Sequence, residues 1–139
     1  MTEASSSGYS GTPLRKKLGV TSGQSTWRLA MPDAIAAEID ADDPPDLRPD
    51  PIPGLESAHI FVTQAAVLAE TLTRLRPLLA PKSMLWVSWP KKAAKVPTDI
   101  TEDTIRAIAL PMGYVDIKVC AVDAVWSGLK LVIRVSQRG

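Results

Sequence analysis

The sequence predicts one three-layer α/β domain whose sheet is mostly parallel, holds about five to six strands and ends in an antiparallel hairpin. Two observations carry this prediction. Residues 58–110 alternate two short apolar runs with two segments of helical periodicity, which favours parallel strands joined by crossover helices. Residues 115–135 alternate apolar and polar side chains on both sides of a turn at residues 123–128, which indicates a hairpin.

The composition is that of an ordinary globular domain. The chain has 139 residues, of which 45% are hydrophobic and 22% charged, and its formal net charge is +1. This length suits one folding unit, so we expect a flexible arm over residues 1–11 and a single domain over residues 12–139. A near-neutral chain lacks the excess of Lys and Arg that drives binding to phosphate backbones, which argues against a nucleic-acid partner.

Three features of the sequence limit the cellular compartment and the kinds of site that the protein can have. Cys120 is the only cysteine, which excludes an intrachain disulfide and a cysteine-based zinc site. The N-terminus lacks the basic and apolar regions of a secretion signal, and no apolar run approaches the roughly 18 residues that span a bilayer. We therefore expect a cytoplasmic protein with no membrane partner.

Proline and glycine mark the boundaries of the predicted elements in the first half of the chain. Pro13 suits the first turn of a short helix over residues 14–18, and Gly19 is placed to end it. Asp33 can cap a following helix. The remaining elements are a strand at residues 25–30, the helix at residues 34–39, and a short edge strand near residues 46–48 inside an acidic, proline-rich loop over residues 40–56.

The second half of the chain is more regular. Residues 58–63 and 84–89 are short apolar runs typical of buried strands. A helix should follow the first of these strands, and Pro77 should kink it or end it early; another helix is predicted over residues 100–110. The helix between the two buried strands is predicted to have an apolar face made of Leu68, Leu72, Leu75 and Leu79.

The strongest functional candidate is the loop that follows the second buried strand. Ligands of open α/β sheets bind beyond the carboxyl ends of the parallel strands, and this loop leaves such an end. Its lysines would attract a phosphate or carboxylate together with the N-terminus of the next helix. The hypothetical ligand-binding residues are Ser88, Trp89, Lys91, Lys92, Lys95, Thr98 and Trp126, and the hypothetical partner-binding residues are Arg15, Lys16 and Lys17, which the first helix should display to solvent.

Each of these features also has an ordinary structural interpretation. Asp99 and Glu102 have the spacing of a capping box, and their carboxylates would occupy N–H groups that an anion needs. A solvated basic loop beside a capped helix is the plainer alternative. Trp86 and Trp89 should point to opposite faces, with Trp89 packing on a helix or stacking on a ligand. Trp126, in the hairpin turn, would cover the core or form a contact surface.

The remaining chemistry-bearing residues favour no reaction. His59 is the only histidine, which excludes a histidine-rich metal site, and it is predicted at the start of a strand, away from the ligand crevice. The acidic loop lacks the alternating ligands and central glycine of an EF-hand. The chain has no phosphate-binding P-loop, no glycine-rich dinucleotide motif and no nucleophile elbow. We therefore expect no metal and no cofactor, and catalytic residues stay unassigned.

Four strings carry a resemblance to a known family: GYSGTPLRKKLG at residues 8–19, LWVSWPKK at 85–92, TDITED at 98–103 and VWSGLK at 125–130. On these strings the protein resembles a family of small bacterial domain-of-unknown-function proteins, and the resemblance extends over nearly the whole chain. Residues 58–135 are also similar to the back half of a class I methyltransferase, which implies a truncated Rossmann-like fold. The front half departs from that pattern, because residues 30–33 (AMPD) stand where such enzymes have a glycine-rich loop.

Three hypotheses about function follow. The first is a non-catalytic binding or regulatory domain that recognises an anionic small molecule or protein through the lysine-rich loop. The second is a diverged methyltransferase-like enzyme, or a remnant of one, that uses the same crevice. The third is a structural role in which residues 129–135 form an exposed hairpin edge that pairs with a second copy of the chain, giving a homo-oligomer.

Overall fold

The computed structural model describes residues 13–138, so the arm predicted at residues 1–11 lies outside the described residues. The α-helices are α1 (Leu14–Leu18), α2 (Asp33–Asp40), α3 (Ala65–Leu75) and α4 (Glu102–Ala109). The strands are β1 (Ser25–Leu29), β2 (Asp46–Leu47), β3 (Leu55–Phe61), β4 (Leu79–Pro90), β5 (Tyr114–Ala121) and β6 (Trp126–Ile133). Short 3₁₀ helices lie at Lys92–Ala94, Leu110–Met112 and Val135–Gln137.

The six strands form one sheet in the order β2-β1-β3-β4-β6-β5. Strands β1 to β4 pair in parallel, whereas β6 runs antiparallel to both of its neighbours, β4 and β5. The predicted fold class, a mostly parallel α/β sheet that ends in an antiparallel hairpin, is therefore confirmed. Within residues 13–138, no helix is long and apolar enough to cross a membrane.

Side chains alternate between the two faces of the sheet and form two apolar clusters. One face packs against α3 and α4, through residues such as Leu72 and Ile105. The other packs against α1 and α2, through residues such as Leu18 and Ile39. Trp86 belongs to the α1–α2 cluster and Trp89 to the α3–α4 cluster, so the prediction that they point to opposite faces is correct.

Glycine and proline end the helices largely as predicted. Gly19 ends α1 in the left-handed conformation, with φ 71, and its N–H donates to the carbonyls of the last turn. Helix α3 ends at Leu75, two residues before Pro77. The placement of Leu79 on α3 is wrong, because Leu79 is the first residue of β4. The helical spacing of the leucines continues by chance across the turn between α3 and β4.

At the hairpin end of the sheet the edge strand is β5, not the strand that follows the hairpin turn. The hypothesis that residues 129–135 form an unpaired edge is wrong, because β6 lies between β4 and β5 and pairs with both. Exposed apolar side chains on β5 are Ile117 and Val119. A register shift between Asp116 and Lys118 interrupts the pairing there. Bulges and lysines at an edge disfavour pairing with another chain.

Candidate functional site at the carboxyl ends of the strands

The strand order places a topological switch point between β1 and β3. From β1 the chain passes through α2 to β2 on one side of β1, and then returns to β3 on the other side. In open α/β sheets, the crevice at the carboxyl ends of two such strands is the usual ligand site. The candidate site therefore lies between the ends of β1 and β3, one strand away from the lysine-rich loop after β4.

The turn between β1 and α2 forms one wall of this crevice. Ala30 has φ 56, a left-handed conformation that glycine adopts far more readily than alanine. Pro32 precedes α2, and no side chain caps the N-terminus of that helix. The prediction that Asp33 caps α2 is wrong, because Asp33 is already the first helical residue. Its carboxylate lies in the first turn, where it interacts favourably with the helix dipole.

The lysine-rich loop begins where β4 ends. The N–H of Lys91 donates to the carbonyl of Val125 at 2.7 Å, which ties the start of the loop to the hairpin. Residues Lys92–Ala94 form a single 3₁₀ turn, and Lys95 ends it with φ 57. The side chains of Lys92 and Lys95 are exposed, and that of Lys91 is half-buried. The three lysines thus lie close together along the chain at the carboxyl end of the sheet.

Thr98 and Asp99 fasten the far end of this loop to the turn between β3 and α3. The Thr98 hydroxyl donates to the carbonyl of Thr63 at 2.7 Å. The Asp99 carboxylate accepts from the N–H of Ala65, the first residue of α3, at 2.7 Å. Asp99 thereby caps a helix to which it does not belong, since Gln64, the N-cap residue of α3, provides no side-chain cap.

The predicted capping box of Asp99 and Glu102 is therefore wrong. Helix α4 begins at Glu102, and its N-cap is Thr101, whose hydroxyl accepts from the N–H of Thr104 at 3.2 Å. The Thr104 hydroxyl accepts in turn from the N–H of Thr101 at 3.2 Å. Sequence spacing favoured Asp99 and Glu102 because Glu is usual at the third helical position and Asp can replace Ser or Thr as the N-cap, but Asp99 instead accepts from the N-terminus of α3.

The other predicted site residues differ in their accessibility. Ser88 and Trp89 lie within β4 and are buried; Trp89 packs in the α3–α4 cluster. Trp126 is the first residue of β6, opposite Pro90, rather than a residue of the hairpin turn. It is half-buried, and its ring meets Phe61 edge-on with centroids 5.0 Å apart. Trp126 is therefore the one of the three that a ligand could reach without disturbing the core.

A buried polar pair, His59 and Ser88, lies on the α1–α2 face below the crevice. His59 Nε2 and Ser88 Oγ are 2.6 Å apart, and the imidazole stacks on Phe61 with centroids 4.6 Å apart. His59 is the fifth residue of β3, so its predicted position at the start of a strand is wrong; β3 begins at Leu55. Nothing in the sequence links His59 to Ser88, because their contact depends on the register of β3 and β4.

The surroundings of His59 keep the imidazole neutral. Its burial, and secondarily the positive charge of Arg28 on β1, lower its pKa to about 3. Arg28 itself forms a bidentate ion pair with Asp40 of α2, with N–O distances of 2.7 and 2.8 Å. A histidine with so low a pKa is a weak base, so this pair is poorly suited to activate the Ser88 hydroxyl at neutral pH.

The basic side chains of α1 are less available to a binding partner than predicted. Arg15 donates to the carbonyl of Asp43 and lies 3.9 Å from its carboxylate. Lys17 Nζ donates to the carbonyl of Ala121 at 2.8 Å. Both side chains are half-buried, and Lys16 is the exposed member of the three. The expectation that all three are displayed to solvent is therefore wrong, because the charges of Arg15 and Lys17 are used to hold α1 on the domain.

Comparisons with known proteins support the fold and nothing more specific. No protein-family model matches the chain. No curated protein matches it by sequence either.

Solved structures of methyltransferases resemble the chain in fold. A SAM-dependent methyltransferase from Aquifex aeolicus aligns with a TM-score of 0.64 and 13% identity, over 85% of this chain and 86% of the enzyme. A putative type 11 methyltransferase from Sulfolobus solfataricus aligns with a TM-score of 0.53 and 13% identity, over 80% of this chain and 72% of that one. The architecture is thus methyltransferase-like, and at these identities the likeness concerns the fold alone.

Proposed function

We propose that this chain is a diverged methyltransferase-like protein that keeps the ligand crevice but not the glycine-rich cofactor loop. The observation that carries the proposal is the fold itself. The alignment covers 86% of a SAM-dependent enzyme, so the likeness extends over nearly the whole of that domain. The switch point between β1 and β3 falls where an open α/β sheet binds its ligand.

The turn after β1 does not fit the adenosyl cofactor of that fold. Glycines in such a loop allow its backbone to approach the ligand closely, and its free N–H groups can donate to the ligand. Here Ala30 keeps a left-handed φ but adds a methyl group, and Pro32 has no N–H to donate. Met31 packs against the α1–α2 cluster. We therefore assign no methyl-transfer step to these residues.

We also propose kinship with the small bacterial family whose strings the chain carries, and these strings contact one another in the fold. Trp86 Nε1, in the second string, donates to the carbonyl of Leu18, in the first, at 2.8 Å. Gly128, in the last string, lies against the ring of the same tryptophan. Residues far apart in the chain thus meet on the α1–α2 face, which supports the inference that the strings act together to specify this packing.

Calorimetry with S-adenosylmethionine and its demethylated product, S-adenosylhomocysteine, tests the first proposal. We expect no saturable heat up to about 1 mM of either compound, because the turn after β1 cannot contact them as a glycine-rich loop does. Circular dichroism of the same sample verifies that the protein is folded. Binding in the micromolar range, with the two compounds competing, would contradict the loss of the cofactor loop and identify a working cofactor site.

A second candidate function, recognition of an anion, is supported by the exposed lysines. Lys92 and Lys95 form no ion pair with the carboxylates of residues 13–138. The helices beside the loop have fewer free N–H groups for an anion, since Asp99 accepts from the first N–H of α3 and Thr101 caps α4. Any anion bound here would depend mainly on the lysine side chains themselves.

Titration with inorganic pyrophosphate tests this second candidate. We expect binding that weakens as salt is added, and the double variant Lys92→Glu/Lys95→Glu should reduce the affinity at least about tenfold, or 1.4 kcal/mol. Lys16→Glu is the control, since Lys16 is an exposed lysine on α1, and it changes the net charge by half as much as the double variant. A loss of binding free energy in Lys16→Glu that is half that of the double variant or more would mean that net charge alone attracts the anion, and would remove the loop as its site.

A further inference from the structure

A small cleft lies at the amino ends of the strands, on the edge of the sheet opposite the crevice described above. It has a volume of about 130 Å³ and is lined by Gln24, Glu56, Ala80, Lys82 and Ser83. Its origin is an irregularity in the pairing of β3 and β4. One residue separates Leu55 from Ser57 on β3, whereas four residues, 80–83, separate their partners Leu79 and Met84 on β4. The extra residues bulge away from β3 and open the cleft.

The side chains of two residues in this cleft make no hydrogen bond with residues 13–138, and one of the polar atoms concerned, Gln24 Oε1, is fully buried. The Oε1 atom of Gln24 is inaccessible to solvent and accepts no hydrogen bond from residues 13–138. Ser83 is only 3% exposed, and its hydroxyl makes no hydrogen bond within the same part of the chain. Leaving buried polar atoms unsatisfied is costly, and most such atoms in folded proteins have a partner. The cleft is therefore suited to a molecule that both donates and accepts hydrogen bonds.

The rim of the cleft carries one charge of each sign. Glu56 Oε1 accepts from the N–H and the hydroxyl of Ser25 at 2.9 and 3.2 Å, which orients the carboxylate. Lys82 is exposed. The two side chains do not form an ion pair with each other or with another side chain of residues 13–138. Opposite charges held apart at one rim complement a ligand that carries both charges itself.

From this arrangement we infer that the cleft binds a small zwitterion, a free α-amino acid of the size of glycine or alanine. Its ammonium group would donate to the Glu56 carboxylate at the rim. Its carboxylate would accept from the Ser83 hydroxyl and the Lys82 ammonium group. The volume of the cleft, about 130 Å³, suits a molecule of this size. The site is independent of the function proposed for the carboxyl-end crevice.

The inference is tested by titrating the isotopically labelled protein with glycine and following backbone amide shifts. We expect saturable shifts at Gln24, Ala80 and Ser83 with a millimolar dissociation constant, since a ligand of about five non-hydrogen atoms cannot bind tightly. Methylammonium chloride and sodium acetate, which each carry half of the charge pattern, should bind at least about tenfold more weakly. Equal shifts with acetate would reduce the site to an anion contact of Lys82, and no saturation with glycine would overturn the inference.

Two variants separate the two ends of the ligand. Lys82→Met should weaken glycine binding at least about tenfold while leaving methylammonium binding unchanged. Glu56→Gln, which removes the negative charge at nearly constant shape, should weaken both. Lys16→Met is the control for a lost surface charge and should change neither. If Lys82→Met and Lys16→Met behave alike, the carboxylate of glycine does not contact this rim and the zwitterion assignment fails.

Discussion

Replacing Gly128 by valine is expected to lower the free energy of unfolding by about 3 kcal/mol, the upper end of the usual cost of overpacking. A Cβ atom at this position would lie 3.1 Å from Val122 Cγ2 and 3.2 Å from Trp86 Cε3. The indole cannot retreat easily, because it is 2% exposed and its Nε1 donates to the carbonyl of Leu18 at 2.8 Å. The branched side chain would therefore push β6 away from β4 or α1 away from the sheet.

Urea denaturation of Gly128→Ala, Gly128→Val, Trp86→Leu and the double variant Gly128→Val/Trp86→Leu measures this effect. The smaller leucine should accept part of the new side chain, so the double variant should lose less stability than the two single changes added together. In a strand without steric crowding, alanine would stabilise the protein relative to glycine by reducing backbone entropy in the unfolded state. Stabilisation by Gly128→Ala would therefore show that packing against Trp86 does not require glycine at this position.

Periodicity in the sequence predicted the architecture because it records which side of each element is buried. The faces of β4 could be assigned from alternation alone, and Trp86 and Trp89 do lie on opposite sides. Leu68, Leu72 and Leu75 line the buried face of α3 as their spacing indicates. Pattern predicts these features well because the hydrophobic effect acts on every residue of a regular element in the same way.

Contacts between elements could not be predicted in this way. Asp99 has the spacing of a local cap but caps α3, because the loop after β4 folds back onto the turn after β3. The hairpin is recognisable from its alternation, yet only the register shows that β6 is inserted beside β4 and that β5 forms the edge. The candidate cleft at the amino ends of the strands could not be predicted either, since a bulge in β4 has no simple sequence signature.

Acid is expected to destabilise the protein from pH 6.5 downward, and His59 is the cause. Below pH 6.5 a histidine in the unfolded chain binds a proton, whereas in the folded protein burial and Arg28 lower the pKa of His59 to about 3. The unfolded state therefore binds more protons throughout this window, and the free energy of unfolding falls as the pH falls. The loss is about 1.4 kcal/mol for each pH unit, or about 3 kcal/mol at pH 4.5 relative to pH 7.

The variant His59→Gln isolates this effect, because His59 is the only histidine of the chain. Glutamine can still bond to Ser88 Oγ but does not titrate, so urea denaturation between pH 7 and 4.5 should give a nearly flat stability. Arg28→Gln should keep most of the pH dependence, since burial, the larger of the two causes, remains. A slope in His59→Gln equal to that of the parent would instead assign the acid sensitivity to carboxylates such as Asp116, whose ion pair with Arg106 lowers its pKa.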